Sequence, residues 1–192
     1  MFRGYFPGYS AELRKNPNVL TWVVLKAHTN NTAGEVTLRS ADPLVPPAIN
    51  FKYFEEGNDA TGDDVKAVAN GIRLARKLAE GLVKDKMVAA EEIPGPQYPD
   101  ERLEEFVRDH AWGHHASCTC RIGRDGDGSV LSSDFKVHGV SGLRVVDASV
   151  FPRIPGFFIA SAVYMVGEKA AEVIGTEARG SAPLGPVTPF RQ

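Results

Sequence analysis

The fold is decided by residues 135–152, which read FKVHGVSGLRVVDASVFP. Gly139 and Gly142 predict a turn, since glycine adopts the backbone angles that tight turns require. The apolar run from Leu143 to Val146 then predicts a short strand buried on both faces. Ligands commonly bind beyond the carboxyl ends of buried parallel strands, so Asp147-Ala148-Ser149 becomes a candidate ligand contact. A plain turn followed by a core strand fits the same residues.

The rest of the chain predicts strands and helices of an α+β fold, and the order strand, turn, strand favours an antiparallel sheet. Three segments rich in β-branched, aromatic or alternating apolar residues predict strands at 18–28, 35–40 and 49–53. Three segments with apolar residues at helical spacing predict helices at 62–82, 100–111 and 161–174. Thr61 is predicted to cap the first of these helices, and Gly175 to end the last.

The composition is that of an ordinary globular protein of 192 residues, with a formal net charge of −2. This balance argues against binding to nucleic acid or to an anionic membrane. No apolar run is long enough to span a bilayer, and the first residues lack the apolar core of a signal peptide. Cys118 and Cys120 are too few for a disulfide framework or a zinc site, so a reducing, cytoplasmic location is expected. Residues 1–17 are predicted to be irregular and residues 177–192 to be disordered.

Three histidines provide candidate chemistry: His110, His114 and His115, which lead into residues 116–123 with the sequence ASCTCRIG. Imidazole is a suitable base near neutral pH, although surface or structural histidines fit this cluster better when it is taken alone. A metal site is disfavoured further, because no carboxylate lies beside the histidines at ligand spacing. His114 and His115 are adjacent, so on a strand at most one of them faces a given pocket.

The segment from Ile154 to Ile159 leads into the last predicted helix. The start of a helix carries unpaired N–H groups and a partial positive charge, and an anionic group can be held there. Most helix starts contact only solvent, which is the alternative interpretation. The loop from Asp125 to Gly128 lacks the further carboxylates of a calcium site, so no metal site is predicted.

The order of these features resembles the glucose-methanol-choline (GMC) family of oxidoreductases. Its C-terminal motif is His-x-x-Gly-Thr-x-Arg-Met-Gly, and His115, Thr119, Arg121 and Gly123 take the matching positions. Three further stretches are similar to family segments in the same order: VTLRSADPLVPPAINFKY at 36–53, VHGVSGLRVVDASVFPRIP at 137–155 and YMVGEKAAEVI at 164–174. The resemblance covers about residues 18–175.

The resemblance implies that residues 18–142 form a substrate domain with a mainly antiparallel β-sheet flanked by helices. It also implies that residues 143–176 return as a strand and helix to complete a Rossmann-type FAD domain. The rest of that domain, with its dinucleotide fingerprint, is not among these residues, so an FAD-domain segment or chain is an implied partner. Asp147 and Ala148 would lie against the phosphate and ribityl region of FAD. Phe158 and Ile159 would lie by the pyrimidine edge of the flavin, near the start of the last helix.

The activity that the resemblance implies is oxidation of a small-molecule alcohol. His115 would accept the hydroxyl proton as the alcohol carbon gives a hydride to flavin N5. Three positions depart from the family pattern. Phe158 stands where a second His or Asn completes the catalytic pair, Cys118 stands where the motif has glycine, and Ile122 replaces the methionine.

Two other functions compete with this expectation. A truncated or non-catalytic relative that does not bind FAD alone is favoured by Phe158 and by the missing FAD domain. An unrelated α+β binding module would require that the four matching stretches arose by accident. Neither the identity of the alcohol nor the electron acceptor follows from these residues.

Overall fold

The computed structural model describes residues 2–3, 18–156 and 158–180. The chain divides into two compact units, Met1–Trp112 and Gly113–Gln192. The irregular segment predicted for 1–17 lies outside the described residues, apart from the strand residues Phe2–Arg3, and so does most of the predicted tail. The predicted boundary at 142/143 depends on an FAD domain that this chain does not supply, and it stays a prediction.

The first unit contains two small antiparallel sheets. Strand β1 (Phe2–Arg3) pairs with β2 (Leu20–Thr21), and β3 (Glu35–Thr37) pairs with β4 (Ala48–Asn50). These strands and the helices agree with the predicted α+β class, but the strands are shorter than the pattern indicates.

The long strand predicted over 18–28 is wrong, since only Leu20 and Thr21 pair. The physical reason is packing against a helix. A Cβ placed on Gly71 of helix α1 (Asp63–Lys84) would lie 2.4 Å from Val24 Cγ1, so the chain after β2 rests directly on that helix. Val24 therefore packs on a helix rather than within a longer sheet, while Trp22 and Leu25 stay 40% and 43% exposed.

Helix α1 agrees with the predicted segment 62–82, but its predicted cap is wrong. The N-cap is Gly62, which has a left-handed φ of 66°. As a glycine it has no side chain with which to cap the helix. Asp59 takes that role instead, because its Oδ2 accepts a hydrogen bond from the backbone N–H of Asp64 at 2.7 Å. The hydroxyl of Thr61 donates to Asp59 Oδ1 at 3.1 Å, so Thr61 supports the capping carboxylate.

The core of the first unit lies between α1 and helix α2 (Leu103–His110), which follows a 3₁₀ turn at Asp100–Arg102. Its fully buried members are apolar: Val65, Ala69, Leu103 and Val107. Arg76 fastens the intervening loop to α1, since its guanidinium donates to Glu91 at 2.9 Å and to Asp100 at 2.5 Å.

The second unit has a core of Leu131, Phe135, Val150 and Ala170. Gly139 and Gly142 both have positive φ, which confirms the predicted turn. The strand predicted over Leu143 to Val146, buried on both faces, is wrong, because these two residues are 49% and 39% exposed. The segment instead folds back on the residues before the turn, with a single antiparallel bridge between Lys136 and Arg144.

Helix α3 (Ala160–Ala178) is the last element, and it extends beyond the predicted end at Gly175. Glu177, in its final turn, forms ion pairs with Lys136 at 2.9 Å and with Arg144. These contacts hold one more turn than the glycine signal indicates, and they place 177–178 in a helix rather than in a disordered tail. No helix among the described residues combines the length and apolar character needed to cross a bilayer.

Candidate active site

The histidine-containing motif and the stretch 147–150 lie side by side. Three backbone N–H groups of the motif donate to consecutive carbonyls: Cys118 to Ala148 at 3.3 Å, Cys120 to Ser149 at 3.0 Å and Ile122 to Val150 at 2.9 Å. Residues 148–150 form a 3₁₀ turn that begins directly after Asp147. The two stretches that the sequence singled out are thus one structural element of the second unit.

The arginine and glycine of the motif build the loop that follows it. A Cβ on Gly123 would lie 2.8 Å from Ser129 Cβ and 2.9 Å from Asp127 Oδ2, so only glycine fits there without displacement. The Arg121 guanidinium donates to the Asp127 carbonyl oxygen at 2.5 Å. These two residues therefore hold the loop closed and leave the chemistry to other positions.

Asp127 is a residue whose role the sequence analysis missed. Its carboxylate accepts backbone N–H groups from Ser129 at 2.8 Å and from Arg124 at 3.1 Å. The pKa of the Asp127 carboxyl is lowered from its ordinary value, and hydrogen bonds from Ser129 are the largest cause. This role could have been predicted from the spacing Asp127-x-Ser129, which is typical of a turn closed by an aspartate side chain rather than of a calcium site.

Cys118 adopts a left-handed backbone conformation, with φ at 76°. This is the position at which the resembling motif has glycine, the residue that tolerates such angles. A residue with a Cβ is strained there by about 1–2 kcal/mol. The departure from the motif therefore introduces backbone strain three residues after His115.

Asp147 caps the 3₁₀ turn through one carboxylate oxygen. Its Oδ1 accepts the Ser149 N–H at 2.8 Å and the Ser149 hydroxyl at 2.5 Å. Among the described residues, the other oxygen has no hydrogen-bond donor, so it can receive one from a ligand. Ala148 contributes its carbonyl to the motif, as described above, and its side chain is half-buried.

His115 and Phe158 are brought together in the second unit. Their ring centroids are 6.2 Å apart and the rings are inclined at 71°, in an edge-to-face arrangement. His115 is half-buried, whereas Phe158 is 65% exposed and has a left-handed φ of 47°. Within the part of the chain that the structure describes, neither His115 ring nitrogen has a hydrogen-bond partner, so both are open to a substrate.

Ile159 stands at the N-cap of α3, and among the described residues no side chain caps the helix. The carbonyl of Ile159 accepts the N–H of Val163 at 2.9 Å, which is the first bond of the helix. The N–H groups of the first turn are therefore available to an acceptor, as in other helix starts that bind anions.

Two other histidines, His110 and His138, have structural surroundings. His110 belongs to the first unit, where its ring stacks on Phe106 at 4.4 Å and its Nδ1 lies 3.0 Å from the Phe106 carbonyl. Nε2 of His138 lies 3.3 Å from the carbonyl oxygen of Gly123, so His138 supports the same loop as Arg121. The described residues contain no group of three or more His, Cys, Asp or Glu that could hold a metal ion.

Comparisons with known proteins define the family to which this chain belongs. The family profile described as GMC oxidoreductase matches residues 30–167. The chain is 40% identical over 157 residues to the chloroplastic fatty acid photodecarboxylase of Chlamydomonas reinhardtii, covering 80% of this chain and 24% of that protein. It is 39% identical over 161 residues to the oxygen-dependent choline dehydrogenase of Staphylococcus saprophyticus, covering 82% of this chain and 27% of that protein.

A solved structure supports the same grouping. The formate oxidase of Aspergillus oryzae, studied for its FAD modification, superposes with a TM-score of 0.66 at 37% identity. The match covers 78% of this chain and 26% of that one. The chain therefore belongs to the GMC oxidoreductase family, and it spans about a quarter of the length of the relatives it matches.

Two features of the second unit are compatible with a flavin cofactor, which relatives in this family generally use. The uncapped start of α3 offers N–H donors, and Asp147 offers a free carboxylate oxygen.

Proposed function

We propose that this chain is the C-terminal part of an FAD-dependent oxidoreductase that oxidises a CH–OH group of a small-molecule alcohol. The observation that carries the proposal is the setting of His115. Its ring nitrogens have no partner among the described residues, and it lies in the same unit as the uncapped start of α3. Membership of the GMC oxidoreductase family supports the redox chemistry.

His115 is the base of this reaction. An imidazole nitrogen without a protein partner can accept the hydroxyl proton of the substrate as the C–H bond breaks. A base of this kind typically contributes about 10²–10⁴-fold to the rate. The motif residues Arg121 and Gly123 act indirectly, because they hold the loop that follows the motif.

Four positions are proposed to hold the cofactor: Asp147, Ala148, Phe158 and Ile159. Asp147 and Ala148 lie on the 3₁₀ turn bonded to the motif, and they would contact the phosphate and ribityl region. Ile159 and Phe158 lie at the start of α3, where the helix dipole favours negative charge on a neighbouring group. When bound, the flavin supplies the hydride acceptor.

The test uses the holoenzyme, in which this chain is joined to the segment that carries FAD. Anaerobic reduction of the flavin by a primary alcohol is measured by stopped-flow absorbance in wild type, His115→Ala and His114→Ala. We expect the His115 variant to be slower by about 10²–10⁴-fold. The neighbouring histidine serves as the matched control and should change little. Equal rates in wild type and His115→Ala would remove the role given to His115.

A second candidate is a non-catalytic relative, favoured by Phe158, since a phenyl ring cannot hydrogen-bond a substrate oxygen. In that case the holoenzyme would bind FAD without any alcohol-dependent reduction. The isolated chain is expected not to bind FAD tightly under either proposal, because no glycine-rich dinucleotide turn occurs in its sequence. Stoichiometric FAD on the purified isolated chain would contradict this expectation.

A further inference from the structure

Phe158 is an exposed aromatic residue in a strained backbone conformation. Its side chain is 65% exposed, and it is not a member of the buried core of the second unit. Its φ of 47° is in the left-handed region, which a residue with a Cβ adopts only when the surroundings enforce it. Core packing therefore does not explain why this ring lies where it does.

Among the described residues, the ring that pairs with Phe158 is that of His115, the candidate base. The 6.2 Å separation and 71° inclination of the two rings lie within the range of favourable edge-to-face pairs. The strained backbone thus serves to set a phenyl ring beside His115. One side of the base is thereby an apolar wall, while its nitrogens stay open among the described residues.

The wall restricts what a substrate can place beside the base. A phenyl ring has no hydrogen-bond donor or strong acceptor, so a polar substrate atom pressed against it loses water without gaining a partner. An alkyl or aryl group in the same place loses no hydrogen bond and removes apolar surface from water. The contact therefore discriminates according to the group attached to the hydroxyl-bearing carbon.

We propose that Phe158 is a specificity-determining residue that selects alcohols whose hydroxyl-bearing carbon carries an apolar alkyl or aryl group over alcohols in which that group contains a polar atom. The inference rests on the proposed function, and it gives that function a substrate class. Phe158 would then contact the substrate in addition to the cofactor contact proposed above.

The experiment compares two nearly isosteric primary alcohols, 1-pentanol and 2-ethoxyethanol, which differ by one CH₂ exchanged for an ether oxygen. Their kcat/KM values are measured with the holoenzyme in wild type, Phe158→Leu and Phe158→Asn. We expect wild type to favour pentanol by about 10-fold or more. The leucine variant should keep most of this preference, and the asparagine variant should bring the ratio close to one. In the asparagine variant, kcat/KM for pentanol should fall mainly because KM for pentanol rises.

Leu44→Asn provides a matched control, since Leu44 is 88% exposed and belongs to the first unit. It should leave the ratio unchanged. Folding is not at risk in the Phe158 variants, because the side chain is outside the core. A ratio near one in wild type, or an equal ratio in wild type and Phe158→Asn, overturns the inference while leaving the proposed function intact. Failure of every alcohol to reduce the flavin in wild type overturns the proposed function and this inference with it.

Discussion

Cys118 gives a stability prediction whose sign is unusual. A residue with a Cβ is strained by about 1–2 kcal/mol in the left-handed region, and Cys118 has a φ of 76° there. Glycine elsewhere is less stable than alanine by about 0.5–1 kcal/mol, because it loses more backbone freedom on folding. The difference between these two ranges runs from about 0 to 1.5 kcal/mol, so Cys118→Gly is predicted to be more stable than Cys118→Ala by about 0.75 kcal/mol.

The comparison of two variants at one position removes the effect of losing the thiol. Both proteins are unfolded with urea under reducing conditions and followed by circular dichroism, which gives the free energy of unfolding of each. Ser117, which has no positive φ, is the control, and there the alanine variant should be more stable than the glycine variant. An alanine variant at least as stable as the glycine variant at position 118 would refute the reasoning.

The remaining predictions concern packing and charge. Gly71→Ala should lower the free energy of unfolding by about 1–3 kcal/mol, because its Cβ would lie 2.4 Å from Val24 Cγ1. Gly81→Ala is the control, since no atom lies within 4 Å of the added Cβ, and it should raise the free energy of unfolding by about 0.5–1 kcal/mol. Asp64→Ala should lower the free energy of unfolding by about 3 kcal/mol, because the buried carboxylate accepts the backbone N–H groups of Asn30 and Asn31. A loss of less than about 1 kcal/mol in urea unfolding would contradict this prediction. Hydrogen bonding, chiefly with Lys136, lowers the pKa of Glu177, so its stabilisation is present above its unfolded pKa and is lost as pH falls through the lower folded pKa. Thermal unfolding between pH 6 and 3 should therefore show a weaker acid dependence in Glu177→Gln than in wild type, and identical dependence would argue against the pairing.

The sequence predicted helices better than strands, for a physical reason. A helix is closed by local hydrogen bonds, and its 3.6-residue periodicity can be read from the chain itself. The pairing of a strand depends on distant residues, so the pattern around Val24 indicated a strand where the structure has a segment packed on α1. The end of α3 was missed for a similar reason, because Glu177 is held by residues more than thirty positions away.

The candidate site divides in the same way. Family resemblance identified His115 and the stretch 147–150, and the structure joins the two by backbone hydrogen bonds. The edge-to-face contact between His115 and Phe158 could not be read from the sequence, because 42 intervening residues must fold before the two rings meet. The same holds for the backbone strain at Cys118, which only the φ angle reveals.

The central claim is that His115 removes the substrate proton, and chemical rescue tests it most directly. Anaerobic flavin reduction by an alcohol is measured in His115→Ala holoenzyme at increasing concentrations of free imidazole. We predict that imidazole restores part of the lost rate in a concentration-dependent manner and has no effect on His114→Ala. A His115→Ala enzyme as fast as wild type, or a slow one that no concentration of imidazole accelerates, would contradict the claim.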